Sequence, residues 1–317
     1  MTQRVNILTQ KSRLTIKSKN FNTMDNFLEK VLLHPEYHRQ FDCGGSLITA
    51  FNCPMEARLM KNRFSDLWTK YNYLFYVVDG RKMWHTARGS YDIGKDSCVF
   101  VRKGGFILEQ FMDTGFCVML FFIPDEFICE TLQSKAGGAA PAPAERHFEP
   151  LMLLESNERL KGFFISMSTY FSETKEPDPV LLELKFKELV LNIADNSGNQ
   201  ELLAYFGSLR REPQAIVLKR VMEDNFCFNL KLEVYAELSN RSLSAFKRDF
   251  VKLFGCPPGK WLLEKRLHHS LDLMRNRNRT VGEAAFESGF ESPSHFSRAF
   301  KLRFGMGPAA MKQVATL

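Results

Sequence analysis

Ser242–Pro258, SLSAFKRDFVKLFGCPP, and Ser292–Pro308, SPSHFSRAFKLRFGMGP, are two versions of one segment fifty residues apart. Laid over one another without a gap, they agree at eight of seventeen positions: Ser242/Ser292, Ser244/Ser294, Phe246/Phe296, Arg248/Arg298, Phe250/Phe300, Phe254/Phe304, Gly255/Gly305 and Pro258/Pro308. In each copy a serine stands where a helix N-cap is wanted, phenylalanines recur at i, i+4 and i+8, and a glycine then a proline close the run. Ahead of the first copy, Leu230–Leu238 reads as a short amphipathic helix with Leu232 and Ala236 inward. Ser239-Asn240-Arg241 then turns the chain, Asn240 being a residue that tolerates the left-handed conformation. Ahead of the second copy, Thr280 and Glu283 make a capping box before Val281–Ser288, Gly289 turns the chain, and Pro293 takes the first helical position. Each half is thus a helix-turn-helix. Trp261–Met274 between them reads as a connecting helix with Leu263, Leu267, Ser270/Leu271 and Met274 on one side. A stiff connector holds two readers at a set spacing, which suits a periodic partner. Double-stranded DNA is such a partner, its successive major grooves lying roughly 34 Å apart on one face.

Charge follows the repeat. The 317-residue chain carries a formal net charge of +7. Residues 213–317 hold 17 Lys/Arg against 10 Asp/Glu, and the other 212 residues hold 26 of each, so the whole excess lies in the segment with the repeat. A basic surface suits a polyanion, because neutralising phosphates releases condensed counterions. Opposite the phenylalanine stripe, the first reader helix presents Ser244, Lys247 and Arg248, and the second presents Ser294, His295, Ser297 and Arg298. Lys and Arg suit guanine O6 and N7, while Ser and His meet base edges or phosphates. These seven are the expected DNA-binding residues. Arg275, Arg277 and Arg279 form a basic loop that either clamps phosphates or is simply solvated.

The first 130 residues have a different period. Tyr73–Val78 is a strand candidate, Asp79-Gly80 reads as a turn, and Lys82–Ala87, Cys98–Arg102, Phe106–Phe111 and Gly115–Ile123 follow as strands separated by Gly-containing breaks, Gly104-Gly105 among them. Short strands at regular spacing imply an antiparallel sandwich or barrel. Asn26–Leu33 reads as a short helix. Residues 136–144, AGGAAPAPA, form a linker. Beyond it the period turns helical over Asn157–Glu173, Pro179–Ala194 and Gln200–Leu209, with Asp178 and Pro179 opening the second helix. That second helix carries too many apolar residues for one stripe, so it is buried on several sides, within the chain or against a second subunit. Seven cysteines without a CxxC pair read as reduced thiols. The N-terminus lacks the apolar stretch of a signal peptide, and the longest apolar run, Phe116–Pro124, is too short to span a bilayer. A cytoplasmic chain with no membrane partner is expected.

The stretch GFESPSHFSRAFKLRFGMGP resembles the second helix-turn-helix signature of the AraC/XylS family of bacterial transcription regulators, at Gly289, Phe290 and Pro308, with Ala285 just upstream. The resemblance covers about residues 213–312. Ala284 replaces a usual larger aliphatic, and Asn240 a usual glycine. It implies a DNA-binding domain of seven helices whose two readers enter adjacent major grooves, near a promoter where RNA polymerase is recruited, and it favours activation. The N-terminal portion is similar to the cupin-like sensing and dimerisation domains of that family, and its strand set resembles the variant in regulators of secretion and virulence genes, where a protein partner can take the place of a sugar. The expected fold is therefore α+β: an antiparallel β barrel or sandwich, cupin-like, with flanking helices, and an all-α C-terminal domain with two helix-turn-helix units. The divisions are a sensing domain at 1–135, a linker at 136–150, a helical dimerisation or linker segment at 151–212, and the DNA-binding domain at 213–317. Expected partners are promoter DNA, RNA polymerase, a second copy of the chain, and an effector that is either a small molecule or a regulatory protein. Cupin enzymes hold a metal through an HxH pair and a further His; here His34, His38 and His85 stand apart, so neither catalysis nor a cofactor is expected. The competing readings are a cupin-type metalloenzyme with an accessory DNA-binding tail, and a DNA-binding protein whose N-terminal part is only a docking module.

Overall fold

The computed structural model describes residues 24–32, 38–44, 46–53, 63–111, 115–133, 147–209 and 214–314. The chain divides into two compact units, Asp25–Pro213 and Gln214–Leu317. The first unit contains strands β1 (Asp25–Asn26), β2 (His38–Asp42), β3 (Ile48–Asn52), β4 (Phe64–Thr69), β5 (Asn72–His85), β6 (Ser90–Gly94), β7 (Cys98–Val101), β8 (Gly104–Gln110), β9 (Phe116–Ile123) and β10 (Leu151–Leu153). Its helices are α1 (Phe27–Leu32), α2 (Asp125–Gln133), α3 (Glu158–Ser172), α4 (Pro179–Ala194) and α5 (Gln200–Leu209). The strand order is β1-β4-β8-β5-β9-β3-β2, with β6 and β7 also pairing with β5, and β10 with β7.

One strand organises this curled sheet. The first half of β5 pairs with β7 and β9, and its second half with β6 and β8. The register shifts between Val77 and Asp79, and Gly80 stands at φ 87°. Asp79-Gly80 is therefore not the expected turn but a bulge inside a 14-residue strand. An extra residue on one strand bends it, which lets β5 pass from one side of the sheet to the other. A Cβ at Gly80 would lie 2.1 Å from the Gly115 carbonyl oxygen, so the close approach of β9 requires glycine there. Gly104-Gly105 likewise begins β8, pairing with Thr69 and Trp68, instead of breaking the chain.

Alternate residues of the strands feed two cores. One holds Tyr73, Phe75, Trp84, Ile93, Phe106, Phe116 and Phe122. The other face packs Leu74, Phe100 and Phe121 against the helices, through Phe163 and Phe164 of α3, Phe186 and Leu189 of α4, and Tyr205 and Phe206 of α5. The described residues 151–209 thus contribute one short strand, a 3-10 turn at Ser197–Asn199, and three α-helices whose apolar sides join the sheet's own core. A buried polar knot fixes α2 and α5 on the sheet: Asn72 donates to Asp125 (2.5 Å), Lys103 pairs with Asp125 (2.7 Å), and the Tyr205 hydroxyl donates to Asn72 (3.0 Å). In the linker expected at 136–150, positions 136–146 lie outside the described residues, while Phe148 is buried in the core. The expected set of reduced thiols is corrected at one pair. The register Asn52↔Val118 carries Cys53 opposite Cys117, and the two are joined as a disulfide. They are 64 residues apart in sequence, a separation that spacing rules do not flag. Among the described residues, no helix is long and apolar enough to cross a membrane.

The second unit is all-helical: α6 (Gln214–Asn225), α7 (Leu232–Leu238), α8 (Leu243–Phe254), α9 (Pro258–Asn276), α10 (Val281–Glu287), α11 (Pro293–Phe304) and α12 (Pro308–Val314). Helices α8, α10 and α11 start on local signals. Ser242 accepts from the Ala245 amide, Ser292 from the His295 amide, and Thr280 and Glu283 complete the capping box. Gly255 and Gly305 close α8 and α11 at φ 70° and 79°. Pro258 does more than stop α8: it opens α9, which begins three residues before the expected Trp261.

Candidate nucleic-acid interface

Each half of the second unit is a helix, a tight turn and a second helix, and the turns differ in chemistry. In the first, Asn240 takes the left-handed conformation at φ 54°, as its position requires. Tyr235, Ala236 and Leu238 carry the inward face of α7, while Leu232, expected inward, is half-buried. The reason is that α7 begins at Leu232, which puts that residue at the fraying end. In the second, Gly289 stands at φ 82°, and a Cβ there would lie 2.5 Å from the Cys227 carbonyl oxygen. Phe246, Phe250, Phe296 and Phe300 are fully buried, so the stripes are scaffold. Phe296 and Phe300 pack with Leu267, Met274, Ala284, Ala285 and Phe290.

The connecting helix holds both halves through one side chain. Arg266 on α9 donates to the carbonyls of Phe226 (2.7 Å), Phe228 (2.8 Å) and Gly289 (3.1 Å). Two of these carbonyls precede the first helix-turn-helix, and the third lies in the turn of the second. Next along α9, His269 contacts the Ser288 hydroxyl (3.2 Å) and sits edge-on to Phe226. Burial, helped by Arg277, pushes its ring down to about 4, so it packs as a neutral group. At 19 residues, α9 is roughly 28 Å long.

With the stripes inward, the opposite faces are outward. Ser244, Lys247 and Arg248 are exposed on α8; Ser294, His295 and Arg298 are exposed on α11, with Ser297 half-buried beside them. The fold therefore brings the seven expected residues onto the outer faces of the two second helices. Their surroundings are unequal. Arg248 is ion-paired to Asp249, whereas Arg298 makes no ion pair among the described residues. The Asp249 carboxyl is held below its usual range by hydrogen bonds from Arg248 and then Arg241. His295 lies with its ring 6.0 Å from that of Phe290, which steadies it at the start of α11.

Three exposed residues on these faces escaped the sequence reading. Val251 continues the Ser244–Lys247–Arg248 face by one turn. Lys301 and Leu302 continue that of α11, Leu302 being 88% exposed. Extending the i, i+3, i+4 pattern by one turn would have found them. In the basic run at 275–279, Arg275 and Arg277 are exposed and Arg279 is half-buried; Arg275 reaches the Met311 sulfur (3.1 Å), Arg277 lies 3.7 Å from Asp272, and Arg279 pairs with Glu287 (3.0 Å). Among the described residues, no group of three or more His, Cys, Asp or Glu is placed to hold a metal ion.

Residues 72–205, from β5 into α5, match the family described as the ExsA N-terminal regulatory domain, and residues 235–313, from α7 into α12, match the helix-turn-helix domain family. The thermoregulatory protein LcrF of Yersinia pestis is 24% identical over 251 residues, covering 77% of this chain and 90% of that protein. The virulence regulon transcriptional activator VirF of Yersinia enterocolitica is 24% identical over 246 residues, with coverage of 77% and 90%. The HTH-type transcriptional regulator ExsA of Pseudomonas aeruginosa is 24% identical over 255 residues, covering 73% of this chain and 91% of that one.

Proposed function

This chain belongs to the AraC/XylS family of transcription regulators, and from that premise we propose that it is a cytoplasmic, dimeric activator whose two reader helices, α8 and α11, enter adjacent major grooves of a promoter. The observation that carries this reading is the doubled outer face: a buried phenylalanine stripe holds each helix, and an exposed arginine with polar neighbours looks away from it in both copies. Ser244, Lys247, Arg248, Ser294, His295, Ser297 and Arg298 are the DNA-contacting residues, arginine and lysine meeting guanine, the rest meeting base edges or phosphates. The polar side chains differ between the copies, Lys247 against Ser297 and Ala245 against His295, so the two helices read unlike sequences. RNA polymerase is the partner recruited once the promoter is occupied.

The first unit supplies control. A signal, a small molecule or a regulatory protein, that prefers one arrangement of the dimer shifts the population competent for DNA. For the dimer contact the candidate is α4. Its Leu182, Phe186, Leu189, Val190 and Ile193 sink into the core, yet Val180, Leu181, Leu184 and Leu191 remain exposed along its other flank. No observation favours an enzyme over this reading.

A genome-wide binding footprint, taken with wild type and with Arg248→Ala and Arg298→Ala, tests the proposal. Each arginine variant is expected to lose about 1–3 kcal/mol of specific binding while folding normally. Unchanged occupancy in both variants would remove these helices from recognition.

A further inference from the structure

The Asp249 carboxylate lies between two arginines of different standing. Arg241, in the turn of the first helix-turn-helix, is nearly buried, its side chain 7% exposed. It donates to Asp249 Oδ2 (3.2 Å) and to the Ser239 carbonyl (2.7 Å). Arg248, on the outer face of α8, has a side chain 76% exposed; its Nε donates to Asp249 Oδ1 (3.1 Å), and its Nη2 lies 3.1 Å from the same oxygen. The second copy lacks this arrangement. Ala299 stands in place of Asp249 and Glu291 in place of Arg241, and Arg298 makes no hydrogen bond or ion pair among the described residues.

A guanidinium carries five donors in a rigid plane. When its Nε–Nη2 edge is engaged by a carboxylate, the Nη1–Nη2 end stays free, with two parallel N–H groups. Those two parallel N–H groups match the spacing of guanine O6 and N7. We propose that Asp249 is a specificity-determining positioning residue, which holds the Arg248 guanidinium by one edge so that the other is presented to a guanine. Arg241 in turn holds Asp249 to the body of the domain. The carboxylate has a second effect: near a phosphate backbone it repels, so it weakens binding to DNA in general while sharpening the preference for one base pair. Arg298 has no such brace. The second helix therefore grips more by charge and discriminates less at its arginine position.

This inference rests on Arg248 contacting DNA, and the experiment separates the two. The probe is a duplex recovered by wild-type full-length protein from a randomised pool, together with copies carrying each single base-pair change and one shuffled duplex. Arg248→Ala identifies the base pair that Arg248 reads. At that base pair Asp249→Ala and Asp249→Asn are expected to lose roughly tenfold in discrimination, while the shuffled duplex is bound as tightly as by wild type or more tightly. Ala299→Asp is expected to sharpen discrimination at the Arg298 base pair. Arg241→Met, which releases Asp249 from the turn, is expected to lower the melting temperature and to lose part of the same base preference. Three results would overturn the inference. If Asp249→Ala keeps wild-type preference at the base pair that Arg248→Ala loses, the brace is wrong although Arg248 still reads DNA. If Asp249→Ala weakens both duplexes equally and melts earlier, the carboxylate only supports the fold. If Arg248→Ala changes no base preference, Arg248 is not a reader and the brace falls with it.

Discussion

Lys82 shows how far one side chain can stand from its usual environment. It sits on β5 with only 5% of its surface exposed, its ammonium 4.4 Å above the Phe116 ring, and no carboxylate pairs with it among the described residues. Burial pushes its pKa down to about 7, whereas in an unfolded chain it titrates near ~10.4. Between those values the unfolded chain binds the extra proton, so the stability of the first unit rises with pH across that window. Below about pH 7 the full penalty is present. Lys82→Met is therefore expected to stabilise the protein at pH 6.5 by on the order of 3 kcal/mol, and the advantage should shrink steadily towards pH 10. Thermal melts across that range measure it. A gap that does not change with pH would mean the ammonium is not its cause. The charge of this residue was plain in the sequence, but its burial was not, because Lys82 looked like an ordinary strand residue beside a turn that does not exist.

At the scale of elements, the left-handed glycines rank themselves by what surrounds them. Gly255 at φ 70° ends α8 in open space, so Gly255→Ala meets only the backbone cost of that conformation, about 1 kcal/mol. Gly289 at φ 82° lies against the Cys227 carbonyl. Gly289→Ala adds a collision to the same cost and disturbs the carbonyl that Arg266 holds, and a loss of about 3 kcal/mol is expected. Denaturant unfolding of the full chain, followed through Trp261, orders the two variants; it lies in the helical unit, apart from Trp68 and Trp84 in the sheet. Equal losses would show that the close approach at Gly289 relaxes freely. The caps and terminators of these helices were legible because they act within four residues of one another: a serine bonds the amide three positions on, whatever the rest of the chain does. The Asp79-Gly80 pair was misread because the same two residues suit a turn or a bulge. Only β9, more than thirty residues downstream, decides between them by pairing across the shift. Asp249 went unremarked for a related reason. Its meaning lies in its position between Arg241 and Arg248, which only the folded turn supplies.

For the whole molecule, the open question is how much apolar surface the chain leaves for a second copy. Leu181 and Leu184 are one turn apart on α4 and exposed, and the double substitution Leu181→Glu with Leu184→Glu removes no core contact. It is expected to yield a folded monomer with weakened promoter binding, as read by sedimentation and by DNA titration, because a dimer holds two DNA-binding units at one site. A variant that still sediments as a dimer would move the contact elsewhere. By itself, the sequence determined the doubled helix-turn-helix, its caps, its buried phenylalanine stripes and the charge set aside for a polyanion, since each is written in near-neighbour spacing or in composition. The tertiary structure alone decided that β5 runs through its bulge, that Cys53 meets Cys117, that Lys82 is buried and that Arg266 ties both halves together. These joins depend on strand register and helix packing between residues far apart in the chain, and local periodicity carries no record of such pairings.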